Sequence, residues 1–402
     1  MRIDNIQIKQ LIEKHGSPIY LYDKNQIIEN IDTIKNISNN PNLAINYAVK
    51  ANSNLNILKL IKEHGMKVDS TGYGEYIINR NAGFSDEDIY VVCNNLTKQE
   101  LLLLANQNIR ISADCIDQLK TLNEVAPGYQ NVMLRVNPTF GAGENESIIT
   151  GGDKHKFGID IDDLMPCINY IKENNMKLVG INQHIGSLNL DYKTIVLAVT
   201  SLIDLINANN IIVDFINFGG GFGINYNHDT NNQLDFTSLR AELDVIFTDF
   251  LNTYPNKEVT LEFEPGRYIV ANASILIGTV TSIKRRGNDI YIGTDLGFSQ
   301  LARPTMYNSH HHISFITDNE LRRECHVVGN MCENGDYLCK NRKLVIPDIG
   351  DLVIVHDTGA YGYSMASNFN NRLRPIEIMI DDQQHEVIRR RETIEDLLNS
   401  YK

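Results

Sequence analysis

From about residue 45 onward, short β-rich apolar runs alternate with amphipathic stretches of helical length, the pattern of a parallel sheet with helical crossovers. Eight runs read as strands: Ile45–Lys50, Lys67–Ser70, Ile89–Cys93, Ile109–Ala113, Val132–Asn137, Leu178–Ile185, Val213–Gly219 and Val259–Glu264. Between them the 3.6-residue period predicts helices over Asn56–His64, Glu75–Asn81, Lys98–Gln107, Ile116–Val125, Asp162–Asn174, Tyr192–Asn209 and Phe236–Thr253. Eight such strands close a barrel.

After Glu264 the helical period stops. Runs at Ile275–Thr281, Asp289–Thr294, His326–Gly329, Asp351–His356, Ile376–Ile380 and Glu386–Arg390 are separated by turns and predict a second, mainly antiparallel sheet. The expected fold is therefore an α/β chain: a (β/α)8 TIM-type barrel over 25–270, then a β domain over 271–402. Residues 1–24, with a helix at Asn5–Lys14 and a strand at Ser17–Asp23, are assigned to that second domain. Pro138–His155 is rich in Gly and Asn and too long for an ordinary βα connection, so it reads as an active-site or interface loop.

Composition narrows the partners. A formal charge of −13 would be repelled by a phosphate surface, which argues against nucleic acid and anionic membranes. No apolar segment approaches bilayer length, and Met1-Arg2-Ile3-Asp4-Asn5 does not open a secretory leader. Six scattered cysteines without a CxxC pair predict reduced thiols, no zinc site and a cytoplasmic location.

In such barrels functional groups collect at the carboxyl ends of the strands. That rule gathers Lys50, Asp69, His184, Gly219-Gly220-Gly221 and Glu264 at one mouth. Any one of them has a bland reading: a solvated lysine, a core histidine, a tight turn. Together they suit a lysine that condenses with a carbonyl cofactor, a glycine loop that cradles one phosphate, and a carboxylate beside a ring nitrogen. Glu264-Pro265-Gly266-Arg267 adds a sharp turn and a guanidinium. In the second domain, Cys332-Glu333 places a thiol beside an acid and Tyr361 follows a small-residue turn. His310-His311-His312 reads as structural and not as a metal site, because adjacent side chains on an extended segment diverge.

These segments, with Lys156–Ile159, His184–Ser187, Ala302-Arg303-Pro304, Tyr307, Ser367–Asn370 and Arg389–Thr393, resemble the fold-type III pyridoxal-phosphate decarboxylases, and within them the diaminopimelate branch. The resemblance covers essentially the whole chain. It implies pyridoxal 5'-phosphate bound covalently to Lys50, Glu264 at the pyridine nitrogen, His184 against the ring and Asp69 near the Schiff base. It further implies that Ser187, Gly220, Gly221, Gly266, Arg267 and Tyr361 hold the phosphate. Arg267, Arg303, Tyr307 and Tyr361 would contact the substrate, meso-diaminopimelate, and Glu333 would take its distal ammonium. Cys332 would be the proton donor, reaching the site from the neighbouring subunit of a homodimer. Asn334 and Thr139 depart from the usual pattern, which has Ser and Gly there.

Three other readings share parts of this pattern. A related decarboxylase would act on ornithine, carboxynorspermidine or a diaminopimelate-derived siderophore precursor. A barrel racemase needs two-sided proton transfer, against which the Cys332-Glu333 element argues. A pyridoxal-phosphate-binding homeostasis protein would lack the second domain.

Overall fold

The near-continuous apolar runs of the first half become strands buried on both faces, as a parallel sheet covered by helices requires. The computed structural model describes residues 3–138, 141, 156–382 and 384–401. The chain divides into two compact units, one of Ile31–Ile224 with Asn232–Tyr268, the other of Met1–Asn30, Asn225–Asn231 and Ile269–Lys402.

Strand β1 (Ile19–Asp23) lies in the second unit, where helix α1 (Asn5–His15) precedes it. The first unit is a closed ring of eight parallel strands: β2 (Leu43–Ala48), β3 (Lys67–Ser70), β4 (Ile89–Val92), β5 (Arg110–Ala113), β6 (Val132–Arg135), β7 (Leu178–Asn182), β8 (Phe215–Asn217) and β9 (Thr260–Phe263). Closure is made by β2 against β9, with Leu43 opposite Leu261 and Ile45 opposite Phe263.

Helix α2 (Lys24–Lys35), which the sequence reading passed over, runs between β1 and β2. The crossovers are α3 (Leu55–Glu63), α4 (Tyr73–Asn81), α5 (Lys98–Ala105), α6 (Ile116–Val125), α7 (Ile161–Glu173), α8 (Tyr192–Ala208) and α9 (Phe236–Thr253). In α9, Leu239, Leu243, Phe247 and Phe250 recur at helical spacing and are buried. Phe247 stacks at 5.6 Å on Phe218 beyond β8, and Phe218 lies 5.3 Å from Phe263 on β9. Each buried ring contributes about 2–3 kcal/mol to holding helix on barrel.

β3 and β5 end where expected, at Ser70 and Ala113, and the other six barrel strands stop short of the residues expected to end them. β2 ends at Ala48, so Lys50 sits instead in a 3-10 turn over Val49–Ala51. β7 ends at Asn182, two residues before His184, and β8 ends at Asn217, before the glycines. Ala48 N–H donates to the Pro265 carbonyl at 3.0 Å, which ties the end of β2 to the chain just beyond β9.

The barrel interior carries an ionic layer. Arg110 on β5 reaches Glu262 on β9 at 3.0 Å, both buried, and the guanidinium lies over the rings of Phe215 (4.0 Å) and Tyr90 (5.1 Å). Asn217 donates to the Tyr90 hydroxyl at 3.0 Å and to Glu262 at 3.3 Å.

The chain passes into the second unit within α10 (Arg267–Val270) and continues as β10 (Ser274–Arg286) and β11 (Asp289–Thr294). Then come α11 (Arg303–Tyr307), β12 (Ile313–Ile316), β13 (Arg322–Val328), β14 (Tyr337–Val345), β15 (Leu352–His356), β16 (Ile376–Asp381), β17 (Gln384–Arg389) and α12 (Ile394–Asn399). The sheet order is β14-β13-β11-β10-β1-β16-β17, with β15 pairing both β10 and β12. It is antiparallel except at β1–β16 and β11–β13. Ile8 and Leu11 of α1 pack with Ile19, Leu21, Ile277 and Ile378 in its core.

Candidate active site

At the carboxyl end of the barrel, Lys50 is held by its turn, and its Nζ lies 3.1 Å from Oδ2 of Asp69. The two side chains differ in solvation: Lys50 is 35% exposed and Asp69 is closed to solvent. Asp69 stands on β3 in register with Ala48, which explains why the neighbouring turn brings the amine to it. Burial pushes the Asp69 carboxyl up, against the opposing pull of the Lys50 and Arg135 charges.

Glu264 follows β9, and its N–H donates to the Gly219 carbonyl at 2.8 Å. Desolvation raises its carboxyl well above the ordinary range, and the Asp69 charge adds to this. Among the described residues its Oε1 has no hydrogen-bond partner. His184 receives the Gly220 N–H on Nδ1 at 3.2 Å, so that nitrogen is an unprotonated acceptor. Desolvation, then the Lys50 and Arg135 charges, hold the ring well below the usual imidazole range.

The glycine stretch is built without room for side chains. A Cβ at Gly219 or Gly220 would collide with the carbonyl oxygens of Gln183 and Glu264. At Gly221 it would lie 2.6 Å from the Gly186 oxygen, on a backbone with φ of +100° that favours glycine. Gly266 packs its Cα side against Ala48 and Ala51, at either side of Lys50. Arg267, buried, donates from Nε to the Ser187 hydroxyl at 3.1 Å.

Lys50, Asp69, His184, Ser187, Gly220, Gly221, Glu264, Gly266 and Arg267 thus belong to the barrel unit, whereas Arg303, Tyr307, Cys332, Glu333 and Tyr361 belong to the other. There Arg303 begins α11, is 2% exposed, and lies over the Tyr226 ring at 4.4 Å. Tyr307 ends the same helix. Cys332 and Glu333 are exposed. Asn370 brackets Cys332, accepting from its N–H and donating to its Sγ, both at 3.0 Å. Tyr361 has a φ of +56°, a strained backbone for a tyrosine.

Several residues escaped the sequence reading. Arg135 is the last residue of β6, buried among the Asp114 and Asp69 charges, and the strand-end rule that found Asp69 would have found it too. Asn189 approaches Gly221, and its buried amide nitrogen has no hydrogen-bond partner among the described residues. His311, read as structural, bonds Arg303. Of the Pro138–His155 loop only Pro138 and Gly141 are among the described residues, and Thr139 lies outside them. Among the described residues no group of three His, Cys, Asp or Glu is placed to hold a metal ion, and no helix is long and apolar enough to cross a membrane.

A barrel mouth with a lysine, a buried acid and a glycine cradle defines a class, and comparison with known proteins agrees. Residues 24–271 match the family described as pyridoxal-dependent decarboxylase, pyridoxal binding domain, and the chain belongs to that family of enzymes. Its relatives place it in the diaminopimelate decarboxylase branch. The diaminopimelate decarboxylase of Methanothermobacter thermautotrophicus is 35% identical over 397 residues, 97% of this chain and 92% of that one. The Escherichia coli K12 enzyme is 33% identical, covering 97% of this chain and 94% of its own. The Helicobacter pylori enzyme, solved in complex with L-lysine, superposes with a TM-score of 0.89 at 30% identity, over 98% of this chain and 99% of that one.

Proposed function

We propose that the protein decarboxylates meso-2,6-diaminopimelate at its D-configured centre, releasing carbon dioxide and L-lysine, with pyridoxal 5'-phosphate carried on Lys50. The observation that carries this reading is the Lys50 amine, 3.1 Å from the buried carboxylate of Asp69, in the same mouth as the unpartnered Glu264 oxygen.

The residues fit the cofactor chemically. Glu264 offers a buried carboxyl oxygen in need of a partner, which a pyridine nitrogen supplies. Glycine at Gly219–Gly221 is what lets the backbone pack against the carbonyls of Gln183, Glu264 and Gly186 at this mouth, and in this assignment Gly220 and Gly221 line the phosphate. Ser187 accepts from Arg267, so its own proton is available to a phosphate oxygen. Gly266, the Arg267 backbone and Tyr361 complete the phosphate set in this assignment. When bound, pyridoxal phosphate supplies a conjugated ring that takes up the electron pair left by the departing carboxylate.

The chain's own residues do the remainder. Asp69 would hold positive charge at the Lys50 nitrogen, and His184 would be the residue against the cofactor ring. Glu264 would be the partner of the ring nitrogen, where its carboxyl would favour a proton. Arg267, Arg303 and Tyr307 grip the distal carboxylate and Glu333 the distal ammonium, which orients the carboxylate that leaves. Cys332 returns a proton from Sγ to the carbon that has lost carbon dioxide.

Cys332 and Glu333 are assigned to the active site of a second copy in a homodimer, a role that suits their exposure. In this assignment 25–270 is the cofactor-binding module and 271–402, with 1–24, the second domain. Six free cysteines suit a cytoplasmic protein.

A substrate panel assayed with added pyridoxal phosphate tests the reading. Carbon dioxide release from meso-diaminopimelate should exceed that from ornithine or L-lysine by about 10⁴ or more, because those lack the distal carboxylate or the D-centre carboxyl group. Equal or reversed rates would overturn the substrate assignment.

A further inference from the structure

The second unit contains a built support for one arginine. Arg303 NH1 meets Nε2 of His311 at 2.6 Å, and Nδ1 of His311 faces the His356 carbonyl at 2.8 Å. A guanidinium has donors only, so Nε2 must accept; a carbonyl accepts only, so Nδ1 must carry the proton. The two partners together fix one neutral tautomer of a fully buried ring. Tyr226 closes the arrangement: its ring lies 4.4 Å below the Arg303 guanidinium and 5.0 Å from the His311 ring, edge to face.

His311 is itself anchored by the sheet. Ile313 pairs with Val355 in the β12–β15 ladder, and the His356 N–H donates to the His312 carbonyl at 2.9 Å. The anchor therefore passes from β15 through the imidazole to the guanidinium. An acidic residue in place of His311 would neutralise the arginine. His311 and Tyr226 fix the position of the guanidinium without adding a negative charge of their own.

We propose that His311 is a positioning residue that holds Arg303 ready for the distal carboxylate of the substrate. This rests on the assignment of Arg303 to that carboxylate, and the test separates the two. Holoenzymes carrying His311→Gln, His311→Asn and Arg303→Leu would be compared with wild type for KM and kcat on meso-diaminopimelate. The Kd for L-lysine, which keeps the distal carboxylate, would be read from the cofactor absorbance.

Glutamine places an acceptor oxygen near the Nε2 position, whereas asparagine reaches only as far as the Nδ1 position. His311→Gln should stay within about threefold of wild type in KM and Kd. His311→Asn should raise both about tenfold or more, the effect of one lost bond to a charged group, with a smaller change in kcat. If Gln and Asn behave alike while Arg303→Leu impairs binding, the positioning role is wrong and the Arg303 assignment stands. If Arg303→Leu leaves KM and Kd unchanged, the assignment itself is wrong.

Discussion

Lys50 and Asp69 form a pair in which the amine is about a third exposed and the carboxylate is sealed from water, with 3.1 Å between Nζ and Oδ2. The acid is held by β3 and the amine by a turn, so the acid is the fixed member. Removing its charge should weaken the chemistry without dismantling the barrel. Asp69→Asn is expected to lower kcat by about 10²-fold, within the range for a charge acting at a reacting nitrogen, while circular dichroism stays that of wild type. Unchanged turnover would remove Asp69 from the mechanism.

Glu264 predicts a pH dependence of stability in the cofactor-free protein. Its folded-state carboxyl is raised well above 4.5 by desolvation. The folded state therefore keeps a proton that the unfolded state loses, so its contribution is fully present below pH 4.5 and is lost as pH rises through the folded value. Wild type should lose stability relative to Glu264→Gln over that window, by at most about 1.4 kcal/mol per pH unit. Thermal melts at pH 5 and pH 8 check this: the difference in favour of the Gln variant should grow with pH.

Gly221 tests the cradle. Gly221→Ala puts a methyl 2.6 Å from the Gly186 oxygen on a backbone with φ of +100°. The expected loss is about 1–3 kcal/mol of stability and at least about tenfold in affinity for pyridoxal phosphate, measured by denaturation and by absorbance titration.

The Arg110–Glu262 pair belongs to the barrel's interior and not to the chemistry. Glu262→Ala would leave a buried guanidinium uncompensated and should cost about 3–5 kcal/mol in urea unfolding. The double variant Arg110→Met, Glu262→Leu should recover most of that loss, because it removes both charges together.

How far the sequence reached depends on whether the signal was local. The barrel was legible because strands buried on both faces read as unbroken apolar runs, and Ile116–Val125 and Phe236–Thr253 carried the helical period to their ends. The strand-end rule picked out Lys50, His184 and Glu264, although β2 itself ends at Ala48 and Lys50 lies in the turn beyond it. β14 was missed because Lys340, Arg342 and Lys343 on this edge strand mask its alternation, as charged edges commonly do. The Arg110–Glu262 pair, 152 residues apart, had no local mark. His311 likewise gains its meaning only from a carbonyl 45 residues later.

Borohydride reduction of the pyridoxal-phosphate-loaded protein, followed by peptide mass spectrometry, tests the covalent anchor most directly. The account predicts a phosphopyridoxyl group on the peptide bearing Lys50, and none in Lys50→Ala. An adduct on another lysine, or no adduct in a protein that turns over substrate, would contradict it.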